Sequence, residues 1–322
     1  MTSTRTLGSS DITVSALGIG CNAFGTRIDQ AQTTAVVDAA IEHGVTFFDT
    51  ADVYGTGQSE ELLGAALEGR RDQVVVATKF GMDMEGVNGD DGGRRGTSTY
   101  VRTAVEASLR RLRTDHIDLY QLHTPDPSTP LEETLGTLTE LVVEGKVRAI
   151  GSSNLQAWQA VDAAWISRTE GFESFVTAQN EYSLYNRTAE VELVPACLAL
   201  GVDILPYFPL AYGLLTGKYS RGEAAPDGTR LAAQASRLEA ADWDRIEALQ
   251  AFATAHDISI LELAIGGLAA QPAVASVIAG VTRPDQVAAN AAAVAWTPTA
   301  DELQELAAIG RPEQSYTTFA PK

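Results

Sequence analysis

Short apolar runs alternate with stretches of helical spacing along the whole chain. The runs are ALGIGC (16–21), VTFFDT (45–50), VVVATK (74–79), IDLYQLH (117–123), VRAIGSS (147–153), FVTAQ (175–179), DILPYF (203–208) and SVIAG (276–280). Such alternation is the pattern of parallel β/α units. Eight parallel strands are expected.

The helices between them carry readable punctuation. In TPLEETLGTLTELVVEG, Thr129 is placed to cap, Pro130 sits at the first helical position, Glu132 completes a capping box and Gly145 stops the helix. Leu131, Leu135, Leu138 and Val142 share one face, an apolar stripe that would lie against a sheet. In SLRRLRTD, Arg110, Arg111 and Arg113 gather in a last helical turn, where the helix dipole favours cations.

Eight β/α alternations either close into a barrel or lie open as a doubly wound sheet. An open dinucleotide-binding sheet would carry a glycine fingerprint after its first strand. Here Gly18 and Gly20 are followed by Gly25 at the wrong spacing, with no helix opening at the third glycine. A closed barrel is favoured, as one domain over 1–322. Two loops, 81–97 and 211–238, exceed ordinary connections and follow the carboxyl ends of strands, where barrels of this type carry their chemistry. Both are expected to be lids.

Composition narrows the class. The chain has 322 residues and a formal net charge of −19, which argues against a nucleic-acid partner. No apolar run approaches the roughly 18 residues needed to span a bilayer, so no membrane partner is expected. Only two cysteines, Cys21 and Cys197, are present, and no signal-peptide core is recognisable near the start. A reduced compartment, the cytoplasm, is the expectation. No metal site is expected.

Barrel sites draw polar groups from the ends of different strands. Asp49 closes the second run, Lys79 the third and His123 the fourth, and Tyr54 lies five residues past Asp49. Each has an ordinary structural explanation alone: a helix cap, a solvent-reaching cation, a carbonyl-bound imidazole. Together they form a proton-transfer device. A phenol near pKa 10 is a poor acid at neutral pH unless a cation stands beside it, and Lys79 could be that cation. Asp49 could keep the buried ammonium charged, and a neutral His123 could donate to a substrate carbonyl oxygen.

These segments resemble the aldo-keto reductase family, the NADPH-dependent (β/α)8 barrels that reduce aldehydes and ketones. FFDTADVYGTGQSEELLGAAL is similar to the stretch holding the catalytic aspartate and tyrosine, VVVATKFG to that with the lysine, and SLRRLRTDHIDLYQLHTPD to that with the histidine. The resemblance extends over nearly the whole chain and implies an α/β TIM barrel of the longer bacterial type. An N-terminal hairpin and long loops at the C-terminal face would accompany it.

The resemblance also implies cofactor contacts. Ser153 and Asn154 in KVRAIGSSNL, with Gln179, would hold the nicotinamide carboxamide, and Tyr207 would stack under its ring. Pro209, Leu210, Gly213, Leu215, Gly217 and Lys218 would wrap the pyrophosphate. Gly280, Thr282, Arg283, Gln286 and Asn290 would form the adenosine-phosphate end. Arg283 could clamp a 2′-phosphate, so NADP(H) is favoured over NAD(H). Shorter members carry Lys in place of Gly280 and Arg in place of Gln286, a departure that bears on this preference. Where many members place a bulky residue after the first strand, Asn22 and Phe24 would leave a roomier mouth, with Cys21 a small strand-end filler. Trp158, Trp165, Trp243 and Trp296 read as packing residues and His43 as a helix cap.

The function expected is reduction of a small carbonyl substrate, sugar-like or aliphatic, with Tyr54 as proton donor. A redox-sensing cofactor-binding subunit and a Schiff-base aldolase using Lys79 are the alternatives. Substrate identity and oligomeric state are not legible.

Overall fold

The computed structural model describes residues 2–89, 92–227 and 229–312. An antiparallel hairpin, β1 (Thr4–Thr6) and β2 (Thr13–Ser15), precedes the barrel. The barrel strands are β3 (Leu17–Gly20), β4 (Phe47–Asp49), β5 (Val75–Phe80), β6 (Ile117–Leu122), β7 (Val147–Ser153), β8 (Thr177–Gln179), β9 (Asp203–Ile204) and β10 (Val277–Gly280). Every expected run holds a strand, β5 passing the end of its run by one residue to Phe80. All pair in parallel, in the order β10-β3-β4-β5-β6-β7-β8-β9. The open ends meet where Ile204 N–H donates to Ala273 O at 2.6 Å and Ile278 N–H to Pro206 O at 2.9 Å, closing the (β/α)8 barrel.

The helices are α1 (Gln30–Glu42), α2 (Gln58–Ala66), α3 (Ser98–Leu112), α4 (Leu131–Val143), α5 (Ala157–Glu170), α6 (Leu193–Leu200), α7 (Ala235–Glu239), α8 (Trp243–Ala255), α9 (Ile260–Glu262), α10 (Pro284–Ala293) and α11 (Ala300–Ala308). Consecutive helices α1 to α6 pack against one another, and α10 returns to α1, so the outer ring follows the sheet.

Side-chain alternation assigns the two faces of the sheet. Phe48, Val76, Tyr120 and Ile150 pack in the core shared with the helices, whereas Phe47, Ala77, Leu119 and Ala149 fill the barrel interior. The hairpin supplies Leu7, Ile12 and Val14 to that interior cluster. It is fastened by Arg5, whose Nη1 donates to Ala269 O and Val274 O, and by Gly8 N–H to Asp203 at 2.7 Å. Because the period is two, Asp49, Lys79 and Gln121 follow Phe47, Ala77 and Leu119 on the interior face, one step nearer the carboxyl ends.

Some local readings are corrected. Helix α4 starts at Leu131 with Pro130, not Thr129, at the cap, and no side chain caps it. Thr129 instead donates its hydroxyl to Asp126 at 2.7 Å, which removes the proposed box with Glu132. The α4 stripe is centred on Leu135, Leu138 and Leu141, with Leu131 and Val142 only partly buried. His43 is the C-cap of α1 as expected. Trp243 and Trp296 pack on the second core, but Trp158 and Trp165 are 62% and 59% exposed and are not packing residues. Cys21 and Cys197 are buried free thiols.

Helices α2 and α3 approach closely only because Gly64 lacks a side chain: a Cβ there would lie 2.6 Å from Arg111 O and 2.7 Å from Leu112 O. Backbone atoms of a packed helix cannot yield cheaply. Gly64→Ala is therefore expected to destabilise the fold by about 1–3 kcal/mol despite its better helix propensity. A lowered denaturation midpoint at unchanged slope checks this.

Candidate active site

The interior face of β4, β5 and β6 brings the expected tetrad together. Lys79 is fully buried, and its Nζ donates to Asp49 Oδ2 at 2.6 Å and to Thr50 O at 2.9 Å. It also lies 3.5 Å from Tyr54 Oη. Asp49 Oδ1 accepts from Gln121 Nε2 at 3.0 Å and from Gln179 Nε2 at 2.8 Å. The carboxylate thus has donors on both oxygens, which a buried charge requires. Tyr54 projects from the turn after β4, and its ring meets His123 edge-on with centroids 5.9 Å apart. His123 lies one residue past β6, two residues beyond Gln121 on the same face.

The protonation states follow from these contacts. For Lys79, burial pulls the pKa down, but Asp49 and Tyr54 together outweigh it, and the net shift is upward. Lys79 is an ammonium at neutral pH. Burial lifts the Tyr54 pKa more than nearby Lys79 lowers it, so the phenol titrates above its ordinary range. The expectation that Lys79 brings the phenol down towards neutrality is corrected: the cation limits a rise caused by desolvation. Burial, with a smaller push from Lys79, depresses His123 to about 3, leaving a neutral imidazole. Its Nδ1 has no hydrogen-bond partner among the described residues.

These groups open onto a cavity of about 610 Å³ at the carboxyl ends of the strands, within the usual size of small-molecule sites. Asp49, Tyr54 and His123 border it, and Lys79 stands behind them. So do Ser153, Asn154, Gln179, Tyr207, Pro209, Leu210, Gly213, Lys218, Gly280, Thr282, Arg283 and Gln286. Leu215, Gly217 and Asn290 do not: Leu215 is fully buried in the second core and Asn290 is buried on α10. Gly217 caps the preceding 3-10 stretch at φ 74°. Phe24 is likewise core rather than mouth, and Ala23 and Arg27 border the cavity beside Asn22.

Several polar groups are already committed. Asn154 Nδ2 donates to His123 O and Ser153 Oγ, both at 3.0 Å, and its Oδ1 accepts from Tyr207 Oη at 2.8 Å. Gln179 Nε2 donates to Asp49 Oδ1 at 2.8 Å and to Gln121 Oε1 at 3.4 Å, which leaves its oxygen as the group able to accept. Arg283 forms a forked pair with Asp285 at 2.9 and 3.0 Å. Gln286 Oε1 accepts from Thr282 N–H at 2.8 Å.

The 211–238 loop contributes Tyr212, Gly213, Thr216, Lys218, Tyr219 and Thr229 to the cavity, whereas no described residue of 81–97 borders it. A lid over the cavity is compatible with the 211–238 loop and not with the described residues of 81–97. The strap entering it is strained: Phe208, Ala211 and Tyr212 hold φ of 55°, 46° and 61°, each an unfavourable conformation outside glycine. A dinucleotide suits this lining, with amide groups at one end, the Tyr207 ring between and the cations Lys218 and Arg283 at the other.

Sequence reasoning missed Gln121, Arg27 and the aromatic Tyr212. Gln121 had a signal, a polar residue inside a buried strand two positions before His123. Arg27 and Tyr212 lie in irregular backbone, where spacing says nothing about direction.

A model described as the Aldo/keto reductase family matches residues 16–311. The chain belongs to the aldo/keto reductase family. This aldo/keto reductase is 35% identical over 309 residues to "Probable aldo-keto reductase 1" of Glycine max, covering 93% of this chain and 86% of that one. It is 40% identical over 241 residues to "Uncharacterized oxidoreductase YrpG" of Bacillus subtilis (strain 168), covering 72% and 73% of the two chains. The solved aldo-keto reductase AKR11C1 from Bacillus halodurans, in its holo form, aligns with TM-score 0.76 and 34% identity over 95% of each chain. The present aldo/keto reductase is accordingly an oxidoreductase acting on carbonyl groups.

Because His123 titrates near 3 when folded and near 6.5 when unfolded, the unfolded chain binds the extra proton between those values. Its contribution to stability is complete above about pH 6.5 and is lost as pH falls towards 3. In an NMR titration of the folded protein, the His123 ring signals should stay constant from pH 8 to 5.

Proposed function

We propose that this aldo/keto reductase reduces an aldehyde or ketone to the alcohol with NADPH, Tyr54 donating the proton to the carbonyl oxygen. The carrying observation is the buried chain in which Lys79 Nζ reaches both Asp49 Oδ2 at 2.6 Å and Tyr54 Oη at 3.5 Å. When bound, the reduced nicotinamide supplies the hydride.

The protein's own part is proton delivery and orientation. Tyr54 stays protonated at neutral pH and is an acid in the resting state. As its proton leaves, negative charge grows on Oη beside an ammonium already in place, so no solvent need reorganise. Asp49 holds Lys79 charged, and two glutamine amides hold Asp49. Neutral His123 is suited to orient the carbonyl oxygen by a hydrogen bond rather than by charge. A charged, fully bonded Lys79 is a poor nucleophile, which argues against the Schiff-base alternative.

Ser153, Asn154, Gln179 and Tyr207 would hold the nicotinamide end, and Lys218 with Arg283 the phosphates. Arg283 is 58% exposed at the side chain, and its partner Asp285 is itself exposed, so the guanidinium is free to take a 2′-phosphate instead. That supports NADPH over NADH. Buried free thiols at Cys21 and Cys197 support a cytoplasmic location. The partner proposed is a small carbonyl compound.

Loss of NADPH absorbance with a panel of aldehydes, ketones and sugars tests the reading. Tyr54→Phe should lower kcat by roughly 100-fold or more while cofactor binding persists; wild-type turnover would remove Tyr54 from the role. Arg283→Ala should weaken NADPH roughly tenfold or more and leave NADH unchanged. Equal losses for both would remove the 2′-phosphate assignment.

A further inference from the structure

The turn carrying Tyr54 is not self-supporting. Gly55, Thr56 and Gly57 all lie at positive φ, 58°, 54° and 94°. Thr56 is β-branched, so that backbone is strained and must be held by its surroundings. Behind the turn lies a buried polar cluster that borders no part of the cavity.

Asp52, two residues before Tyr54, is fully buried. Its N–H donates to Lys79 O at 3.1 Å, and its Oδ2 accepts from Asn88 Nδ2 at 3.2 Å. Asn88 comes from the 81–97 loop and is 4% exposed. Its Oδ1 accepts from Arg111 Nη1 at 3.1 Å. Arg111 Nε donates to Glu60 Oε2 at 2.6 Å, and Glu60 Oε1 accepts from Thr78 Oγ1 at 2.6 Å. Arg111 also presses on the turn itself, since a Cβ at Gly57 would lie 2.8 Å from its Cδ. Arg111 is therefore not simply a helix-end cation.

We propose that Asn88, seated between Asp52 and Arg111, is a positioning residue that locks the 84–89 segment behind the Tyr54 turn and makes that segment a brace for the catalytic acid. The consequence for turnover rests on Tyr54 being the proton donor; the docking itself does not. The same loop that fails to border the cavity thereby acquires a role. Met84, 2% exposed, is its apolar anchor, and Asn88 its polar one.

The brace has a pH limit. The charged or titratable groups facing Asp52 are Glu60 on α2, Arg111 on α3 and Tyr120 on β6. One guanidinium cannot balance two buried carboxylates. Glu60 holds the stronger donors, Thr78 and Arg111, while Asp52 Oδ1 has no hydrogen-bond partner among the described residues. Asp52 is accordingly the group that keeps its proton: burial first, and then Glu60, raise it to about 8. Release of Asn88 would admit water and let Asp52 ionise as an ordinary carboxylic acid, so opening becomes easier as pH rises towards about 8, where the closed state also loses the proton, and no easier beyond it.

Amide hydrogen exchange of 84–89, corrected for intrinsic rates and followed from pH 6.5 to 9.5, tests this on the full-length protein. Wild-type protection should fall by about tenfold per pH unit as pH rises to about 8 and then level off, because opening releases the Asp52 proton only while the closed state still holds it. Asp52→Asn, an uncharged isostere, should remove that pH dependence. Asn88→Ala should lose about tenfold in protection at every pH and about tenfold in kcat at unchanged cofactor KM. Unaltered protection in Asn88→Ala overturns the brace, as does lost protection with unaltered kcat. An alkaline loosening that survives Asp52→Asn overturns the assignment to Asp52. Absence of turnover with any carbonyl would sink the functional reading and leave the exchange result standing.

Discussion

A single buried ion pair organises this molecule. Lys79 and Asp49 face each other inside the barrel at 2.6 Å, with side-chain exposures of 0% and 3%. Such a pair is stable only when the remaining hydrogen-bonding capacity of both ions is met, because desolvation otherwise exceeds the attraction. The barrel meets it from separate strands. Gln121 on β6 and Gln179 on β8 supply amides to Asp49, and Thr50 supplies a carbonyl to Lys79. Strand closure is what makes these donors converge, so the architecture and the charge pair depend on each other.

That dependence explains what could be read in the sequence. A strand buried on both faces shows itself as a short apolar run, and a titratable residue at its end breaks the run visibly. Asp49, Lys79 and His123 were legible for that reason, and the period of two places them on one interior surface. Resemblance added the strap and the adenosine end, where no periodicity exists. Leu215, Gly217 and Asn290 do not border the cavity, since a position in a motif does not say whether backbone, side chain or neither meets it.

Other features leave no mark in the sequence for physical reasons. Arg111 sits in a run of arginines that a helix C-terminus explains by itself, yet its long side chain reaches back along α2 to Glu60. Where so long a side chain delivers its charge is set by what lies alongside, which one sequence cannot show. Thr129 preferred Asp126 to its own helix because a local carboxylate competes for the hydroxyl. Trp158 and Trp165 suggest packing by residue type alone, but their helix turns that face outward.

Strand β5 joins the two halves of the site through its pleat. Lys79 faces inward to Asp49, and Thr78, one residue earlier, faces outward to Glu60. Two ionic clusters therefore stand back to back, Lys79 with Asp49 in front and Arg111 with Glu60 behind. Each pairs one cation with one anion, so with Asp52 protonated neither cluster imposes a net charge on the other. An ionised Asp52 would end that balance, adding an anion two residues from Tyr54. A nearby anion opposes the negative charge that Tyr54 must take up as it gives its proton. Keeping Asp52 neutral thus serves the phenol electrostatically as well as by holding its turn.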